Sequence, residues 1–150
     1  MEKIYFDEDS QRYVLTDDYV KQETGIDLSA TLNSFGDANP TSLPTRFLKR
    51  VSMIVYNFIE SRTYLNRSAI NFTIQGLKSK KNAFCEALIN QVLYMVNTGD
   101  LGLQSGVNLK DGRAMHLNEL RGIVRMSADA VDCLTNAGFL YAGNGYGGAI

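Results

Sequence analysis

The chain has one histidine, two cysteines, two prolines and no tryptophan among 150 residues, and each scarcity removes a kind of chemistry. His116 is the only side chain whose unperturbed pKa lies near neutrality, so any histidine-based triad would have to use it, and no G-x-S-x-G elbow accompanies it. One histidine with cysteines at 85 and 133 supplies neither zinc-ligand spacing nor a calcium loop. Both cysteines stand among apolar residues at helical spacing, which suits free buried thiols in a reducing cytoplasm better than a disulfide. No stretch approaches the ~18 apolar residues of a membrane span, and MEKIYFDEDS has no signal-peptide apolar run. The expectation is a soluble protein made in the cytoplasm, with no membrane partner, no metal, no cofactor and no catalytic residues.

Two phosphate-binding patterns fail on context. Gly143, Gly145 and Gly148 have G-x-G-x-x-G spacing, but only Ala149 and Ile150 follow, where the dinucleotide fingerprint needs a helix N-terminus. GLKS at residues 76–79 lacks the adjacent Gly-Lys pair of a phosphate loop and reads as a helix start. Asp17 and Asp18 point to different helix faces, so they do not form an acid-base pair.

Charge is present but unevenly placed. The formal net charge is -1, yet residues 1–45 carry nine acids and three bases, whereas residues 46–81 carry one acid and eight bases. Two solvated faces could offset each other within one monomer. Alternatively, an acidic edge meets a basic edge of a second copy, or the basic stretch lines a DNA passage. Arg62, Arg67, Lys78, Lys80 and Lys81, near Tyr64 and Phe72, are the candidates for DNA-channel or inter-subunit contact.

Periodicity predicts a mainly α protein. KIYF and RYVL flank DEDSQ as a small hairpin with Ile4 and Phe6 on one side. Thr16 caps a short helix that Gly25 ends, and residues 29–45 form a long loop. Two long antiparallel helices follow: one with Phe47, Val51, Ile54, Val55 and Phe58 on its apolar stripe, and a second capped by Ser79 and stopped by Gly99. Between Gly99 and Met126 the helical period is lost, and two strands around a turn compete with a helix. Ser127 then caps a short helix ending at Gly138. The expected organisation is a single helical bundle domain over residues 1–138 and an extended docking tail over residues 139–150.

No side chain after Asp132 is charged, and glycines break the last dozen residues too often for a stable helix. Phe139, Leu140, Tyr141, Tyr146 and Ile150 are anchor types for a partner or neighbouring subunit, on a backbone able to lie along a sheet edge. Phe139 and Leu140 could equally close the domain's own core.

The order TDDYVKQETGIDL, FLKRVSMIVYNFIESRTYLNR, KKNAFCEALINQVLYMV, SGVNL and LRGIVRMSADAVDCLTNAGFLYAG resembles the head-tail connector (adaptor, or head-completion) proteins of long-tailed double-stranded DNA bacteriophages. The most specific part is the closing pattern of Ser127, Ala130, Leu134, Gly138, Phe139, Leu140, Tyr141 and Gly143. The resemblance covers about two thirds of the chain. The KIYF/RYVL segment, the long loop, Ala142 where a basic residue is frequent, and residues 145–150 depart from the family pattern. It implies a virion protein of the capsid-tail neck, forming a ring of twelve copies beneath the portal protein. Such a ring extends the channel for packaged DNA and carries the next neck or tail protein. A stopper or tail-terminator ring of the same neck is the nearest alternative, and a small DNA-binding regulator is a more distant one.

Overall fold

The computed structural model describes residues 2–32, 43–63, 70–73, 75–99 and 126–140. The described chain is mainly helical, with one two-stranded antiparallel hairpin at its start. In the hairpin, β1 (Ile4–Asp7) pairs with β2 (Arg12–Leu15), so that Ile4 faces Leu15 and Phe6 faces Tyr13. Asp7 organises the connection: its carbonyl accepts the Gln11 N–H at 2.7 Å and its carboxylate accepts the Ser10 hydroxyl at 2.6 Å. That hydroxyl, more than the Lys49 ammonium 3.8 Å away, holds the Asp7 carboxyl below the usual carboxylate range. Gln11 takes up the left-handed conformation, φ 59°, that lets the strand return.

Helix α1 (Asp17–Thr24) begins where the Thr16 hydroxyl accepts the Tyr19 N–H at 3.3 Å. It ends at Gly25, φ 77°, whose N–H reaches the Lys21 carbonyl. Asp17 and Asp18 occupy its positive end. The stretch expected as loop from residue 29 instead opens with a second helix, α2 (Leu28–Leu32). Asp27 closes its first turn by accepting the Ser29 N–H, and Leu28 and Leu32, four apart, are both fully buried. Residues 33–42 of that predicted loop lie outside the described residues, and its last three, 43–45, are helical rather than loop, since the next long helix already begins at Leu43.

The long helix α3 (Leu43–Arg62) carries Pro44 in its first turn, where a missing N–H costs nothing. Its buried face is wider than the predicted stripe: Leu48, Ser52, Tyr56 and Ile59 are buried with Phe47, Val51, Ile54 and Val55, whereas Phe58 is only half-buried. Ser52 and Tyr56, one turn apart, seize the outer edge of β2. The Ser52 hydroxyl donates to the Tyr13 carbonyl at 2.7 Å, and the Tyr13 N–H donates to the Tyr56 hydroxyl at 3.0 Å.

A single helical turn, α4 (Gln75–Lys78), leads into α5 (Lys81–Thr98). The predicted Ser79 cap is not used. The chain is already helical at residues 75–78, so the cap position falls to Lys80, which makes no side-chain capping bond. Gly99, φ 77°, ends α5 as expected. The segment from residue 100 to 125, where strands and helix competed in the sequence, lies outside the described residues. Helix α6 (Ala128–Asn136) packs on α5.

One buried cluster joins hairpin and helices, and aromatic rings run through it. Phe6 meets Tyr13 at 5.1 Å between ring centroids, Tyr13 meets Phe72 at 5.0 Å, and Phe72 meets Phe84 at 5.3 Å. Tyr56, in the second half of α3, makes an edge contact with Phe84 in the first turn of α5. Among the described residues no helix is long and apolar enough to cross a membrane.

Candidate functional site

The point from which the C-terminal tail departs is built by α5 and α6. Gln91, fully buried on α5, accepts the Ser127 N–H at 2.8 Å, and the Ser127 hydroxyl in turn accepts the Ala130 N–H at 3.3 Å. The start of α6 is thus fixed by a neighbouring helix as well as by its own cap. One turn further on, Asn90 of α5 donates to the Cys133 sulfur at 3.4 Å. At the other end, Gly138 (φ 86°) donates to the Thr135 carbonyl and Phe139 to the Leu134 carbonyl. These two bonds make the paired closure of a Schellman turn, which a left-handed glycine permits.

Phe139 is 2 % exposed and Leu140 8 % exposed, so both belong to the domain's own core. The Phe139 ring lies 5.5 Å from that of Phe84 and 6.3 Å from that of Phe72. Of the two roles open to this pair in the sequence, the structure realises core closure. Both side chains thus pack with the helices although they follow position 138, where the tail was expected to begin. The cause is the turn: the bond from Phe139 to Leu134 folds the chain back over the end of α6 and presses the ring into the α5 face. Tyr141, Tyr146 and Ile150 lie outside the described residues.

The basic candidates divide. Lys80 is engaged within its own chain: its ammonium lies 5.6 Å from the centroid of the Phe139 ring, and a Cβ added at Gly138 would stand 3.2 Å from it. There it sits beside the negative end of α6, a favourable place for a cation. Arg62, at the end of α3, is exposed with its guanidinium 4.4 Å above the Phe58 ring. Lys78 and Lys81 flank Lys80 and are exposed. Arg67 and the lone His116 lie outside the described residues.

Sequence reasoning gave no signal for an open polar cleft of about 420 Å³ between the start of β1, α1 and α5. Lys3, Tyr19, Gln22, Glu23, Asn82 and Glu86 line it, from three segments far apart in the chain. The Lys3 ammonium donates to the Asn82 carbonyl oxygen at 3.2 Å and lies 5.5 Å from the Tyr19 ring centroid. Burial, then the negative charge of Glu23, raises the Tyr19 hydroxyl above its ordinary pKa. The cleft therefore offers carboxylates and a protonated phenol, with no activated nucleophile. Both thiols are free, and burial pushes each upward, Cys85 fully inside and Cys133 half-buried. Thiols so placed stay protonated and unreactive. Among the described residues no three histidine, cysteine or carboxylate side chains gather as metal ligands. Comparison with protein-family models, with curated proteins and with solved structures returns no match.

Proposed function

We propose that this chain is a structural virion protein, a ring-forming head-tail connector that binds the portal vertex, extends the DNA channel and provides the platform for tail attachment. The observation that carries the reading is the ordered resemblance along the chain, and above all its closing pattern: a serine-capped helix, Leu134, Gly138, then Phe139, Leu140 and Tyr141. The geometry at α6 gives that pattern a physical use. A cap tied to Gln91 and a turn locked by Gly138 and Phe139 set a firm departure point for the tail. Tyr141, Tyr146 and Ile150 then remain as apolar anchors, uncharged and unencumbered by neighbouring charge, for the portal or an adjacent subunit.

Segregated charge supports side-by-side assembly: residues 1–45 carry nine of the sixteen acids, many of them in the hairpin and α1, while Arg62, Lys78 and Lys81 are exposed on the following elements. In a ring of twelve these cations face DNA or the acidic edge of the next copy. The test is negative-stain imaging of purified protein mixed with portal rings. Rings seated on the portal with about twelve copies are expected. Sixfold rings that bind only a preformed connector would make the protein a stopper or tail terminator, and sequence-dependent duplex binding without rings would make it a regulator.

A further inference from the structure

The hairpin has two outer edges; that of β2 is engaged at Tyr13, and among the described residues that of β1 is not. Tyr13 directs both its N–H and its C=O to α3, through Tyr56 and Ser52, so these groups turn away from β1. Antiparallel pairs alternate between residues that exchange both ladder bonds and residues that exchange none. Phe6 faces Tyr13, so its own N–H and C=O point the opposite way, outward from β1. The same holds for Ile4, two residues earlier and opposite Leu15. Among the described residues nothing bonds these outward groups. Phe6 is also the one large apolar side chain among them that is exposed, at 38 %. The open edge thus has both main-chain valence and an apolar ring beside it.

The remaining question is what could reach this edge. The described chain ends at Leu140, next to Phe139, and the ring contacts Phe139 to Phe72, Phe72 to Tyr13 and Tyr13 to Phe6 place Phe6 within about 16 Å of Phe139. Extended chain covers ~3.3 Å per residue, so five residues such as 141–145 are long enough to bridge that distance. Gly143 and Gly145 in that stretch give it backbone freedom to turn, and no charged side chain among residues 141–150 opposes burial against Phe6. We propose that in the unassembled protomer the chain's own C-terminal tail adds to the free edge of β1 as a third strand, with Tyr146 seated beside Phe6. The seat on β1 does not depend on what the tail meets in an assembly. If the tail also docks on a portal, it must first leave this edge.

Amide hydrogen exchange on the full-length protein at low concentration tests the seat, compared with full-length Tyr146→Pro, which removes the pairing N–H while leaving the core residues unchanged. The Phe6 N–H is expected to exchange about tenfold or more faster in the variant, with the α3 and α5 amides unchanged. A ring-to-ring nuclear Overhauser contact between Tyr146 and Phe6 is expected in the wild type and lost in Tyr146→Pro. Equal Phe6 exchange in the two proteins would overturn the proposal. Protection that disappears on dilution would overturn it too, by assigning the strand to a second copy. Neither readout involves portal or DNA, so failure here is separate from failure of the connector reading.

Discussion

Tyr56 shows how much one side chain can hold together. Its ring is fully buried against Phe84 while its hydroxyl is the acceptor for the Tyr13 N–H, so a single residue joins α3, α5 and the hairpin. Tyr56→Phe keeps the ring and strands that N–H, and is expected to cost about 1–3 kcal/mol in urea unfolding. The same burial pushes the Tyr56 hydroxyl far above its ordinary pKa, against the smaller opposing effect of the Tyr13 hydrogen bond. In the unfolded chain a tyrosine ionises near ~10, so the folded state keeps a proton that the unfolded state gives up. Stability is therefore complete below about pH 10 and falls as the pH rises through that value toward the folded pKa. A pH series of melting temperatures should show this decline in the wild type and a shallower one in Tyr56→Phe. Phe139 is the second decisive residue: Phe139→Ala opens a cavity between Phe72 and Phe84, and a loss of about 3–5 kcal/mol is expected by denaturant titration.

At the level of elements, what the sequence disclosed was what local chemistry decides. The Thr16 and Ser127 caps and the Gly25 and Gly99 stops each depend on a few consecutive residues, and the structure uses all four. Ser79 had the same local signal and is not used, because the preceding turn at residues 75–78 was already helical for reasons no capping rule contains. The contrast is measurable: Ser127→Ala should cost about 1 kcal/mol or somewhat more, since the cap is buried, whereas exposed Ser79→Ala should change stability by less than about 0.5 kcal/mol. Helix α2 escaped notice because five residues make too short a period to register, although Leu28 and Leu32 stand one turn apart. The aromatic contacts from Phe6 to Phe139 and the cleft around Lys3 were illegible for a different reason. They join residues dozens of positions apart, as Lys3 and Asn82 are at a separation of 79, and no periodicity reports which faces will meet. The same applies to Phe139 and Leu140, whose apolar character suited core and interface alike.

For the molecule as a whole, the folded unit extends through Leu140, so two truncations should behave differently. A chain ending at Leu140 is expected to keep its helical circular dichroism and melting transition and, under the proposed connector role, to lose attachment to portal rings. A chain ending at Gly138 lacks two core side chains and should unfold at a much lower temperature, since a domain's net stability is only ~5–15 kcal/mol. The clamp that Ser52 and Tyr56 place on Tyr13 bears on solubility at high local concentration. Fibrils grow because every strand pair recruits on both flanks. With one flank permanently occupied by a helix, two hairpins could meet back to back and would then have nowhere left to add a third, so runaway stacking ends at a pair.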